Sequence, residues 1–201
     1  MKSKSFKFMP RVPLWQGYIV KTAEPLFTPN QCKMIIDAGH QFTQEKAQVG
    51  SGKDGHDTKK RVTTISWIPF DQLTQMYDKI ENQLSSVNLN QFMFDGIKIT
   101  EPAQFTVYPE GGFYDWHIDL SAYGHTGQQP IRKISMTCLL SDPSEFSGGD
   151  LIFSDISEYN PTPLKQGQAL FFASFLRHKV TPITKGTRKS LVMWFGGTPF
   201  K

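Results

Sequence analysis

The amino-acid sequence predicts an α+β fold that is mainly β, built as a single domain over residues 1–201. Three observations predict it. A helix-start signal and an apolar stripe of helical period occur, both in the first half of the chain. From Ile97 onward the texture changes to short runs rich in β-branched and aromatic residues, separated by Gly, Pro, Ser and Asp at near-regular spacing, as in a sandwich or barrel. At 201 residues the chain can bury a real core without disulfides or structural zinc, and no repeat, low-complexity tract or linker divides it.

The elements follow in order. An extended segment around Trp15 to Lys21 leads into "FTPNQCKMIIDAGHQF", where Thr28 as N-cap and Pro29 at the first helical position start a helix running to about Gly39. The loop "VGSGKDGHDTKK" is rich in glycine and charge, and "RVTTISWI" after it reads as a strand. A second helix follows Asp71, with Leu73, Met76, Tyr77, Ile80 and Leu84 on one apolar face that packs in the core. The β runs are "IKITEPAQFTVY", "RKISMTCLL", "GDLIFS", "QALFFAS", "RHKVTPI" and "RKSLVMWF".

Composition narrows the class. No apolar run approaches the roughly 20 residues needed to cross a bilayer, so no membrane span is expected. The basic start "MKSKSFKFMPRVP" has neither an apolar h-region nor a small-residue cleavage pattern, which predicts a cytoplasmic protein. Cys32 and Cys138 read as reduced core thiols, and neither is a catalytic candidate by spacing. The net charge of +4 gathers visibly only in Lys53 to Arg61. Such a cluster is usually a solvated loop, although it could attract an acidic substrate or nucleic acid.

"YPEGGFYDWHIDLS" places His117 and Asp119 two residues apart, and on a strand that spacing presents an imidazole and a carboxylate on one face. The pair alone is weak, because an H-x-D arises by chance in about one chain in four with five histidines. Of the other histidines, His40 lies near a helix C-terminus, and His56 and His125 sit beside glycines in loops. His178, at the head of a β run, is the suitable partner. Two histidines and one carboxylate make the facial triad that holds non-heme Fe(II) with open positions. Arg188 comes ten positions after His178, beyond a "TKG" turn that would return the chain onto a neighbouring antiparallel strand, so the two could face one pocket. Ser190 shares the face of Arg188, and the pair could grip a carboxylate.

These residues, with "SGGDLIF" and "GQALFFASFLRHKVTPITKGTRKSLVMWFGG" in that order, give the chain from about Gln104 to Gly197 a specific resemblance to a known family. It resembles the Fe(II)/2-oxoglutarate-dependent dioxygenases, in particular the prolyl 4-hydroxylase-like branch that includes bacterial PKHD-type hydroxylases. The resemblance implies a double-stranded β-helix, or jelly roll, as a catalytic core over residues 97–201. Residues 1–96 would then supply an extended segment, buttressing helices and a candidate substrate loop. It implies His117, Asp119 and His178 as iron ligands, Arg188 as partner of the distal carboxylate of 2-oxoglutarate, and Ser190 as its assistant. Tyr108 and Tyr114 fall where such hydroxylases carry tyrosines facing cosubstrate or substrate. Where relatives of the oxygen-sensing prolyl hydroxylases have a tyrosine, this chain has Leu139, so the cosubstrate pocket is completed differently. Asp150 is read as structural in a turn, Trp116 as facing away from His117, and Trp194 as core.

The implied cofactors are Fe(II), with 2-oxoglutarate and O2 as cosubstrates and ascorbate as reductant. The implied activity is hydroxylation of a peptide or protein side chain, with proline favoured and the loop Val49 to Lys60 as a lid. Hydroxylation of a free amino acid or other small metabolite would use the same residues. The superfamily's nucleic-acid demethylases usually carry a second arginine where this chain has Trp194, which points away from nucleic acid as partner. From another class stands a jelly-roll binding module without turnover, for which a full ligand set plus Arg188 would be needless.

Overall fold

The computed structural model describes residues 17–47, 59–120, 130–154 and 158–198. His56, His125 and the segment 49–58 of the expected lid lie outside these residues. In chain order the elements are β1 (Ile19–Lys21), α1 (Pro29–Gln41), β2 (Glu45–Lys46), β3 (Arg61–Val62), β4 (Thr64–Ile68) and α2 (Thr74–Val87). The β-rich remainder runs through β5 (Lys98–Ile99), β6 (Ala103–Tyr108), β7 (Phe113–His117), β8 (Ile131–Leu139), β9 (Phe146–Gly148) and β10 (Leu151–Ser154). It closes with β11 (Glu158–Tyr159), β12 (Ala169–Ala173), β13 (His178–Val180), β14 (Ile183–Gly186) and β15 (Arg188–Gly197).

Two antiparallel sheets form the body. The major sheet has the order β1-β12-β8-β15-β6-β4-β2, with β5 also paired to β15, and the minor sheet the order β11-β10-β13-β7-β3. A short third ladder joins β14 to β9. Apart from the consecutive pair β10 and β11, neighbours in both sheets come from non-consecutive parts of the chain, as in a jelly roll. The helices do not simply precede the β body, because β1, β2 and β4 extend the major sheet and β3 edges the minor one.

Side-chain alternation gives the major sheet two faces. On β15, Leu191, Met193 and Phe195 enter the hydrophobic core together with Phe105 of β6, Met136 and Cys138 of β8, and the apolar faces of both helices. Arg188, Ser190, Val192 and Trp194 take the opposite face, where they are register partners of Tyr108, Thr106, Gln104 and Ser135. The first face is buttressed and the second is left to build a cavity.

Local chemistry explains the helices. Thr28 closes a capping box, its hydroxyl accepting from the Gln31 N–H at 3.3 Å while Gln31 Oε1 accepts from the Thr28 N–H at 3.1 Å. Near its end α1 lies so close to the sheet that a Cβ on Gly39 would stand 2.4 Å from the Phe105 ring. The Ser66 hydroxyl donates to the Gly39 carbonyl at 2.6 Å and fixes that approach. α2 starts three residues after Asp71, with Leu73 as a left-handed N-cap at φ +50° and no side-chain cap, so tertiary packing of its stripe carries it. Among the described residues no helix is long and apolar enough to cross a membrane.

Candidate active site

β7 and β13 bring the two histidines together. His117 and His178 are register partners across this ladder, with ring centroids 4.1 Å apart. Asp119 does not follow from strand alternation as expected, because β7 ends at His117. Instead the N–H groups of Asp119 and Leu120 both donate to the Ser174 carbonyl, at 3.0 and 2.8 Å, just beyond β12. This anchor to the major sheet turns the carboxylate back between the imidazoles. Asp119 Oδ1 stands 3.7 Å from His117 Nε2 and Oδ2 stands 3.5 Å from His178 Nε2.

The donor set fits a metal ion. His117 Nδ1 is 2.7 Å from the Asp115 carbonyl and His178 Nδ1 is 2.9 Å from that of Leu176. A carbonyl only accepts, so each Nδ1 carries the proton and each Nε2 offers a lone pair to the centre. Burial, and then the facing His178, push His117 down to about 3, against the opposing pull of Asp119. Burial alone would raise the Asp119 carboxyl, but His178, His117, the Ser135 hydroxyl and the Trp194 indole hold it below its usual range. The Trp194 N–H still falls short of hydrogen-bond geometry with any described residue. The result is two imidazoles and one carboxylate facing one another, with ligand atoms all within 4.8 Å of one another. Donors that each sit about 2 Å from one cation stand about 3 to 4 Å apart, which is the Nε2-to-Oδ spacing here.

Arg188 faces this cluster from the other sheet. The sequence suggested that Arg188 and His178 would lie on neighbouring strands, but β13 belongs to the minor sheet and β15 to the middle of the major one. Both line a cavity of about 420 Å³ between the sheets. Arg188 is 3% exposed, its Nη1 donates to Ser190 Oγ at 3.2 Å, and its guanidinium lies 5.5 Å from the Tyr108 ring centroid. It makes no ion pair among the described residues. Burial pulls its pKa below the usual value, opposed by Tyr108 and Asp150, but a guanidinium remains charged. A buried cation without an anion is costly, so this end of the cavity can accept an anionic group.

Gly149 makes the room. It adopts φ +71°, and a Cβ there would stand 2.8 Å from Arg188 Cδ and 2.4 Å from Ile183 Cδ1. Asp150 beside it serves the turn, accepting from Thr162 Oγ1 at 3.0 Å, while its N–H donates to Thr181 Oγ1 at 2.8 Å.

Tyr108 and Tyr114 both line the cavity. Tyr114 stacks on His117 with centroids 3.5 Å apart, and burial raises its hydroxyl pKa. Leu139 is buried as the register partner of Ser190, and Thr137 two residues earlier lines the cavity. Trp116 turns away from the site to Arg177 and Lys179, 5.0 and 4.4 Å from its ring. His40 packs edge-on against Phe105 at 5.0 Å. Trp194 is buried as expected, and it also walls the cavity, 6.1 Å from Trp67 and under the Arg132 guanidinium at 4.0 Å. Sequence reasoning missed Gln104, and it read Arg61 only as the end of a basic cluster that could attract an acidic substrate. Period-two alternation back from Tyr108 could have flagged Gln104, whereas nothing local singles out Arg61 within that cluster.

Comparisons with known proteins agree with this geometry. The family model for the 2OG-Fe(II) oxygenase superfamily matches residues 103–196. A PKHD-type hydroxylase of Xylella fastidiosa is 34% identical over 101 residues, 47% of this chain and 44% of the relative. The PKHD-type hydroxylase YbiX of Escherichia coli is 29% identical over 128 residues, 62% and 57% of the two chains. The match thus spans about half the length of these curated relatives. Among solved structures, a Pseudomonas putida prolyl-4-hydroxylase superposes with TM-score 0.65 at 19% identity over 90% of this chain and 94% of that one. A Trichoplax adhaerens prolyl hydroxylase superposes with TM-score 0.67 at 17% identity over 90% and 84%. These likenesses establish the prolyl-hydroxylase jelly roll as the fold. Over residues 103–196 the chain matches the 2OG-Fe(II) oxygenase superfamily, and the curated relatives it resembles there are PKHD-type hydroxylases.

Proposed function

We propose that this protein is an Fe(II)- and 2-oxoglutarate-dependent oxygenase that hydroxylates a side chain of a peptide or protein, with proline the favoured residue. The observation that carries the proposal is the pairing, across one cavity, of a three-donor cluster with a buried guanidinium that has no anion among the described residues. His117, Asp119 and His178 would hold the iron. Arg188 and Ser190 would take the distal carboxylate of 2-oxoglutarate. When bound, the metal and cosubstrate supply O2-dependent conversion of a C–H to a C–OH, with release of succinate and CO2 and with ascorbate as reductant.

The chain's own residues set the stage. The Asp115 and Leu176 carbonyls hold both imidazoles in the ligating tautomer. Tyr114 stacked on His117 limits rotation of that ring, and Phe172, 4.7 Å from His178, is an apolar wall that excludes water. Tyr108 covers the Arg188 end. The Trichoplax adhaerens neighbour was solved with a hypoxia inducible factor peptide fragment, which supports a peptide substrate for this fold. The free, buried thiols of Cys32 and Cys138 fit a reducing, cytoplasmic setting.

Hydroxylation of a free amino acid or other small metabolite is the second reading, supported by a cavity volume within the range of small-molecule sites. The test is succinate formation with anaerobically loaded Fe(II), comparing the native protein with His178→Ala, each with a proline-rich peptide mixture, with free amino acids, and alone. Turnover that needs His178 and rises with peptide supports the first reading, and a rise with amino acids alone supports the second. Absence of iron-dependent turnover would sink both.

A further inference from the structure

We propose that Arg61 and Gln104 form a second carboxylate-binding subsite in the cavity, which selects a substrate bearing a carboxylate a few bonds from the carbon that is oxidised. The proposal rests on the oxygenase reading only in calling that ligand the substrate.

Arg61 reaches from β3 of the minor sheet across to β6 of the major one. Its Nε donates to Thr63 Oγ1 at 2.8 Å, its Nη2 donates to Gln104 Oε1 at 3.3 Å, and its guanidinium carbon lies 4.4 Å over the Tyr114 ring. All three neighbours are neutral, and among the described residues Nη1 has no acceptor. Among the described residues no carboxylate pairs with Arg61. Glu45, which also lines the cavity, makes no ion pair with it. Arg132 shows the contrast in the same cavity, because the carboxylate of Glu101 holds it in a two-pronged pair. One guanidinium is paired with a carboxylate and, among the described residues, the other is not.

Gln104 completes the subsite. It is 4% exposed, and its Oε1 accepts from Arg61 and also from Thr106 Oγ1 at 3.3 Å. Acceptance from a guanidinium fixes which end of the amide is oxygen, since the flipped form would set donor against donor. Among the described residues the amide NH2 therefore donates to no protein group, and Gln104 lines the cavity. A carboxylate can accept from Arg61 and from this NH2 together, and charge-assisted bonds of this kind are about twice as strong as neutral ones. A peptide carbonyl would leave the charge uncompensated.

Position separates the subsite from the Arg188 end. Gln104 is four residues along β6 from Tyr108, the register partner of Arg188, which is about 13 Å at strand rise. The metal cluster is nearer. Tyr114 lies 4.4 Å from the Arg61 guanidinium carbon and 3.5 Å from the His117 ring centroid, capping the separation of these two at about 8 Å. A carboxylate on Arg61 thus leaves room for only a few carbon atoms before the cluster. Trp67 and Trp194 wall the same region for that carbon skeleton. The carboxylate can be the free C-terminus of an amino acid or peptide, or an acidic side chain beside the reacting residue.

The test is binding, read by quenching of tryptophan fluorescence, with two probe pairs. N-acetylproline against N-acetylprolinamide presents a terminal carboxylate, and acetyl-Pro-Glu-amide against acetyl-Pro-Gln-amide presents a side-chain one. The native protein should bind at least one carboxylate about tenfold more tightly than its amide, and the pair that discriminates identifies the source. Arg61→Gln should reduce that preference below twofold, Arg61→Lys should keep part of it, and Arg188→Gln should leave it intact. Melting curves check that each variant is folded. Equal binding of carboxylate and amide, or a preference that survives Arg61→Gln and vanishes in Arg188→Gln, overturns the subsite. Failure of the oxygenase reading would appear separately, as absent succinate formation.

Discussion

His117 and His178 are cross-strand partners, and each rests Nδ1 on the carbonyl two residues before it, Asp115 at 2.7 Å and Leu176 at 2.9 Å. The same local device on two strands presents both Nε2 atoms to Asp119. The cluster is therefore preorganised, and loss of either ring removes one of three donors without emptying the core. His117→Ala and His178→Ala should each weaken Mn(II) or Fe(II) binding by about 100-fold or more, since even second-layer partners contribute about 10- to 100-fold. Anaerobic calorimetric titration measures this. Undiminished affinity in both variants would dissociate the cluster from the metal.

Arg188 and Ser190 should rank in their effect on 2-oxoglutarate binding. Arg188→Gln removes a buried charge-assisted contact and should weaken binding by roughly 10- to 100-fold. Arg188→Lys keeps the charge but loses the fork, and should fall between Arg188→Gln and the native protein. Ser190→Ala should lower affinity by less than about tenfold. A Ser190 effect larger than that of Arg188→Gln would refute the assignment.

Gly149→Ala tests the turn behind the arginine. At φ +71°, with Arg188 Cδ at 2.8 Å from the new Cβ, the substitution strains the backbone and pushes the guanidinium. Stability should fall by about 1–3 kcal/mol and 2-oxoglutarate affinity should fall with it. Urea unfolding and ligand titration on the same samples check both, and unchanged affinity would show that Arg188 is positioned independently of the turn.

Thr28→Ala gives a stability control far from the chemistry. Loss of the capping box should destabilise by about 1 kcal/mol and leave succinate formation unchanged. A comparable loss of turnover would mean that α1 reports directly to the site.

The thiols supply the pH dependence. Burial pushes Cys32 up to about 11, and burial also raises Cys138 well above its ordinary value. Iodoacetamide at pH 8 should therefore leave both unmodified in the native protein and alkylate both after unfolding. Because the folded pKa of Cys32 lies above 9.0, its contribution to stability is complete below pH 9 and is lost as pH rises from 9 toward 11. Unfolding curves across that interval measure the decline.

Much of this protein was determined by its sequence alone, where the determinants are local. Thr28 and Pro29 start α1 because a cap acts within one turn. Arg188 and Ser190 share a face because strand side chains alternate. Those relations span two or three residues, so they are legible without knowing what lies opposite. Only the tertiary structure decided which sheet each strand joins and what faces it across the cavity. The carbonyl of Ser174, 55 positions further along the chain, turns Asp119 inward after β7 has ended. β13 and β15 separate into different sheets, so His178 and Arg188 meet across a gap instead of along a ladder. Trp194 joins the cavity wall because its register partner is Ser135, and Arg61 enters it by reaching Gln104, 43 residues away. Pairing between distant strands depends on how whole apolar faces pack in layers, a cooperative choice that no short stretch of the chain encodes.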